Sequence, residues 1–161
     1  MVEKNSAIKV EFDWQKSTLF QFCDNSDWDI FHHAVAFTEQ PEGSVIWREG
    51  ECSTRLVCVV SGVLESLKKT PEWGKPIIMS RFLPGASVGE LIFSAAAGDE
   101  HSEHSTTLQA AEDVSLLIMD EAAAGMLQQK APATVAKLVH GAACLQLKRL
   151  RQLNRRLATL F

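Results

Sequence analysis

Between residues 41 and 119 short apolar runs alternate with glycine- and proline-bearing breaks. Val45-Ile46-Trp47 follows Pro41 and Gly43, the Glu49-Gly50-Glu51 turn comes next, and runs at 56–60 and 63–67 flank Ser61-Gly62. Trp73-Gly74-Lys75-Pro76 closes a hairpin into 77–82, and two further runs, 106–111 and 114–119, flank Glu112-Asp113. Breaks roughly every eight to twelve residues between β-branched runs predict a β-sandwich or small barrel. Ahead of the runs, residues 26–37 place Ile30, Phe31, Ala34, Val35 and Phe37 at helical spacing, with Ser26 or Asp27 as cap and Asp29 in the first turn. That predicts a short helix. Residues 4–24, with Trp14, Phe20 and Phe22, show no clear period.

After Asp120 the texture becomes helical. Residues 121–129 predict a helix that ends before Pro132. From Pro132 on, Leu138, Leu145, Leu150, Leu153, Leu157 and Leu160 return to one face of a long helix, the last four spaced 3, 4 and 3 as in an a/d seam. That seam could pack on a second copy or fold back on the chain's own strands. Its basic flanks, Lys148, Arg149, Arg151, Arg155 and Arg156, read as a solvated face. No repeat or low-complexity segment interrupts the chain.

At 161 residues the chain is long enough for one domain that buries about two-thirds of its unfolded surface. Cys23, Cys52, Cys58 and Cys144 are scattered without metal or redox spacing, which predicts free thiols in a reducing compartment. Glu3, Lys4, Lys9, Glu11 and Asp13 rule out a signal-peptide core in the first twenty residues, and no run reaches membrane-spanning length. A soluble, cytoplasmic protein is expected. The net charge of −4 is uneven: residues 1–136 hold 10 basic and 20 acidic residues, residues 137–161 hold 6 basic and none acidic. An acidic body is not built to lie on DNA phosphates, so only the tail could do so.

Candidate chemistry is sparse. Ser61, Ser94 and Ser105 sit in no nucleophile elbow, and no glycine-rich loop ends in lysine, so no enzyme is expected. His101 and His104, three apart in an acid-rich loop, would meet a metal only on a helical turn. A solvated loop is the plainer reading, and no metal is expected. His32-His33 read as helix surface and His140 as a polar position on the last helix.

Three ordered motifs carry a resemblance. PEGSVIWREGE (41–51), LVCVVSGVLE (56–65) and FLPGASVGEL (82–91) resemble the signatures of the cyclic-nucleotide-binding domain, the β-roll of catabolite-activator-type regulators and kinase regulatory subunits. The resemblance implies a mainly β fold with flanking helices, a cupin-like double-stranded β-helix (jelly roll) followed by a long C-terminal helix. It divides the chain into an undetermined segment (1–25), the roll with its short helix (26–131) and a terminal helix (132–161). It also implies a ligand, cyclic AMP or cyclic GMP, against Gly89, Glu90 and Leu91 and the strand start His104, Ser105 and Thr106. Gly89 would let backbone approach the ligand, and Glu90 would accept from a ribose hydroxyl or, alternatively, cap the turn after it. Val88 would serve as packing. His104 stands where the family places an arginine, after a longer loop bearing Asp99, Glu100 and Glu103. Without the two charge-assisted bonds of that arginine, affinity would fall by several kcal/mol, roughly a thousandfold.

The function so implied is a stand-alone regulatory sensor or signalling adaptor without catalysis, its nucleotide affinity altered or lost. A degenerate roll serving only as an interaction module is the alternative. A homodimer through the terminal helix and an unknown protein partner would complete either. Because the sequence stops at Phe161, where such transcription factors continue into a winged helix-turn-helix, direct DNA binding is not expected.

Overall fold

The computed structural model describes residues 12–72, 74–93 and 103–160. Eight strands form two antiparallel sheets: β1 (Ala36–Gln40), β8 (Val114–Asp120), β3 (Arg55–Ser61) and β6 (Ser87–Val88) in that order, and β2 (Val45–Trp47), β7 (Thr107–Ala110), β4 (Leu64–Lys68) and β5 (Ile77–Phe82) in the second. Three helices flank them, α1 (Asn25–His32), α2 (Glu121–Lys130) and α3 (Pro132–Ala158).

The continuous apolar run of β3 follows from burial on both faces. Val57 and Val59 point into the roll with Trp47, Leu64, Leu108 and Leu116, while Leu56 and Cys58 point outward to a second cluster with Leu117 and Met119. That second cluster is closed by Phe31 of α1, Leu127 of α2 and Leu138 of α3. It also takes in Phe12, Leu19 and Phe20 from the N-terminal stretch. The stretch without readable period is therefore core material, held in single 3-10 turns at Trp14–Lys16 and Thr18–Phe20. An aromatic group of Phe12, Trp14, Phe20, Trp28 and Phe31 knits it to α1.

Two expectations are corrected. The helix predicted over 26–37 ends at His32, and Phe37 lies in β1, where all five residues pair with β8 from Ala36–Ile118 to Gln40–Val114. Ladder pairing outweighs a helical spacing that Phe37 shares by coincidence. Its cap is Asp24, whose carboxylate accepts from the Ser26 and Asp27 amides while Asp27 accepts from the Asp24 amide.

The leucines of α3 also do not share one face. At about 100° per residue Leu138 and Leu145 point one way, and Leu150, Leu153 and Leu157 roughly a quarter-turn round from them, with Leu160 just past the helix end. The first pair meets the body of the protein, whereas the other four are 47% to 75% exposed. Among the described residues no helix is long and apolar enough to cross a membrane.

Candidate functional site

The chain leaves β5 through a turn, adds the two residues of β6 to β3, and enters a 3-10 turn at Glu90–Phe93. Gly89 makes that path possible. At φ +84° it lies so close to β3 that a Cβ would stand 1.9 Å from the Arg55 carbonyl oxygen. The close approach Gly89 makes is thus to backbone of its own fold.

Glu90, the acid that this bend presents, is 2% exposed. Its Oε1 is paired with Arg149 Nη1 and accepts from Gln146 Nε2 at 2.5 Å, both from α3. Arg149 Nη2 donates to the Ser87 carbonyl, and its guanidinium lies 5.5 Å from the centroid of the Phe82 ring. Glu90 Oε2 is buried and has no hydrogen-bond partner among the described residues, and neither has Ser87 Oγ. Burial pushes the Glu90 carboxyl above its ordinary value, while the Arg149 charge and the backbone pull it back. Cys58, buried behind it, is pushed far up by burial and by Glu90, so its thiol stays protonated.

The second predicted group lies at the turn into β7. His104 exchanges backbone bonds with the β2–β3 turn, its carbonyl accepting from Gly50 N at 2.8 Å and its amide donating to Glu51 O at 3.0 Å. Its ring stacks on Trp47 at 4.2 Å and 8° and meets Ser53 Oγ at 3.2 Å. Burial pushes the imidazole below its ordinary value, aided by the charge of Arg55 and opposed by Ser53 and Glu51. It is therefore neutral near pH 7. Ser105 is exposed and its carbonyl accepts from Lys68 Nζ at 2.9 Å; Thr106 is half-buried and Leu91 is exposed. His101, Ser94, Asp99 and Glu100 lie outside the described residues, and among those described no three His, Cys, Asp or Glu side chains stand together as metal ligands.

Arg55 borders both groups: its carbonyl lies under Gly89, its charge acts on His104, and Nη1 reaches the Ile46 carbonyl at 3.4 Å. Arg55, Arg149 and Gln146 are the site residues that sequence reasoning missed. Arg149 was visible as one of the basic residues read as solvent-facing. Its partner lies 59 positions away, and no local pattern joins the two.

The two-sheet roll, the buried acid after a positive-φ glycine and the long helix laid against it form a recognisable assembly. A family model described as the cyclic nucleotide-binding domain matches residues 37–131. The chain belongs to this family. The cyclic nucleotide-binding domain found here has similar solved structures. One is the N-terminal domain of a transcriptional regulator from Streptomyces coelicolor A3(2), 20% identical at a TM-score of 0.69, the match covering 88% of this chain and 94% of that one. Catabolite activator protein from Thermus thermophilus is 24% identical at a TM-score of 0.71, over 89% of this chain and 63% of its own. A cyclic nucleotide-binding domain from Methylobacillus flagellatus reaches a TM-score of 0.74 at 17% identity, covering 86% of this chain and 74% of that one. At such identities the likeness is one of fold. Comparison with curated proteins gives no match.

Proposed function

We propose that this domain is a non-catalytic ligand sensor, in which a cyclic nucleotide meets Gly89, Glu90 and Leu91 on one side and His104, Ser105 and Thr106 on the other, and α3 carries the response. The observation behind this reading is the divided carboxylate of Glu90. One oxygen is held by Arg149 and Gln146 of α3 and the other is buried without a partner. A buried acceptor left open costs free energy until a donor reaches it, and a ribose hydroxyl is such a donor. Because Glu90 touches α3 directly, a ligand that engages the free oxygen better in one packing of the helix than in another shifts α3 toward that packing.

The phosphate end is weaker. A neutral histidine stacked on tryptophan offers no charge, so affinity for cyclic AMP or cyclic GMP should fall about a thousandfold below that of a site with an arginine there. Calorimetric titration with both nucleotides tests the reading. Heat that disappears in Glu90→Gln supports it, and absence of heat and of any thermal shift at millimolar nucleotide sinks it. That outcome would favour the second reading, a roll used only for protein contacts, for which the hold of Arg149 and Gln146 on Glu90 speaks.

The exposed face of Leu150, Leu153, Leu157 and Leu160 suits a parallel or antiparallel helix pair between two copies. Sedimentation at tens of micromolar should give a dimer, lost in Leu150→Lys/Leu157→Lys. A wild-type monomer at that concentration would defeat the assignment.

A further inference from the structure

The terminal half of α3, strand β5 and the stretch 16–18 enclose a cleft of about 570 Å³, the size of a nucleotide-like ligand. Lys148, Arg149, Arg151, Arg155 and Arg156 line one wall, Lys16 and Arg81 the other, and among the described residues no aspartate or glutamate lines it. Three of these cations are answered from outside: Lys16 by Asp13 at 2.6 Å, Arg81 by Glu65 at 2.8 Å, and Arg149 by Glu90. Lys148 donates to the Thr18 hydroxyl and Arg156 to the Met79 carbonyl, both neutral acceptors. Arg151 and Arg155 have neither hydrogen bond nor ion pair among the described residues. Among the described residues four positive charges are thus uncompensated around one concavity.

The spacing makes this costly. Lys148–Arg151 and Arg151–Arg155 are like-charge pairs at i,i+3 and i,i+4, which destabilise a helix unless an anion intervenes. The leucine face of α3 is turned well away from these cations, so a paired helix would leave the cleft open.

We propose that this cleft binds a small polyanion bearing two or more phosphate groups, gripped by Lys148, Arg151 and Arg155, with Arg149 shared between it and Glu90. Guanidinium forks match phosphate oxygens, and the hydroxyls of Ser17, Thr18 and Ser80 on the lining add donors. An extended polyanion fits less well, because the cations sit in a concavity on a body with 20 acidic and 10 basic residues up to position 136.

Calorimetry on the full chain with inorganic tripolyphosphate as probe tests this. One site per chain is expected, about tenfold or more tighter than for orthophosphate and steeply salt-dependent. Arg151→Gln/Arg155→Gln should weaken it about tenfold or more, while melting no earlier than wild type at low salt because repulsion is relieved. Glu90→Gln, which releases Arg149 from its carboxylate, should bind tripolyphosphate at least as tightly as wild type while losing cyclic-nucleotide binding, so failure of that reading and failure of this site are separable. Three results would overturn the proposal: no saturable heat at millimolar tripolyphosphate, equal affinity in the double variant, or a single-stranded oligonucleotide or phosphatidylglycerol vesicle binding about tenfold more tightly than tripolyphosphate.

Discussion

Two glycines, both in helices, predict opposite outcomes for the same substitution. Gly141 lies in α3 where the helix crosses the turn Thr18–Phe20, and a Cβ there would stand 1.9 Å from the Leu19 carbonyl oxygen and 2.7 Å from its carbonyl carbon. Real Cβ contacts essentially never fall under 3.0 Å, and the obstructing atoms are backbone, so the helix must back away by about 1 Å or more. Gly125 in α2 has nothing within 4 Å of its would-be Cβ. At both sites alanine gains helix propensity of about 1 kcal/mol. At Gly125 nothing opposes the gain, so Gly125→Ala should stabilise by about 0.5–1 kcal/mol. At Gly141 overpacking of about 1–3 kcal/mol or more is set against it, and the displaced helix also loosens buried Leu138 and Ala142. A net loss near 2 kcal/mol is expected, about 1 M off the urea midpoint at a slope of about 2 kcal/mol/M. Urea unfolding followed by tryptophan fluorescence reads both variants. Because Arg149 lies about two turns further along α3, Gly141→Ala should also weaken its hold on Glu90. A Gly141→Ala protein as stable as Gly125→Ala would refute the close crossing and, with it, the account of how α3 is aimed.

Two further outcomes follow from the buried acids. Glu90 has its carboxyl held above the ordinary value, so the folded chain binds that proton more tightly than the unfolded one. Its contribution is complete below the unfolded value of about 4.3 and is lost as pH rises through the folded value. Arg149→Ala removes the opposing charge and raises it further. Its stability, read from urea unfolding at each pH, should fall least below wild type near about pH 4, where only the Ser87 and Phe82 contacts are lost, and lag increasingly above it, by about 3 kcal/mol more at pH 8, with Arg149→Ala/Glu90→Gln flattening the dependence. A pH-independent gap would contradict this. Asp27 is the opposite case. Burial pushes it up, but Lys137 at 2.6 Å, the Asp24 amide at 2.9 Å and Thr134 at 2.7 Å outweigh burial and hold it below its ordinary value. Its contribution is present above about pH 3.9 and lost as pH falls through the folded value. Asp27→Asn should cost about 1–2 kcal/mol at neutral pH and make acid unfolding shallower below about pH 4, read by fluorescence during acid titration.

The strand rhythm, the turns and the positions of α2 and α3 were legible in the sequence because they depend on short-range properties. Consecutive β-branched residues, glycines at positive φ and proline at a helix start constrain a few neighbouring dihedrals each. The run 77–82 coincides with β5, and Pro132 opens α3. Glu90 was legible as the acid of a glycine turn for the same reason. Phe37 was misread because helical spacing over so few residues cannot be told from one strand position once a ladder is available. The N-terminal stretch was unreadable because its buried side chains come from single turns, which have no period to detect.

What the chain alone determined is a β-roll with a basic terminal helix and one acid at a tight bend. Only the tertiary structure decided what that acid and helix do to each other. The rotation of α3 about its axis is set where Gly141 lets it touch Leu19, far from Glu90 in sequence. That rotation turns Arg149 inward to a buried carboxylate, four leucines outward, and Lys148, Arg151 and Arg155 toward the basic cleft. Charges that look alike in a row of letters are separated by the angle of about 100° between successive residues, and packing supplies the reference from which that angle is measured.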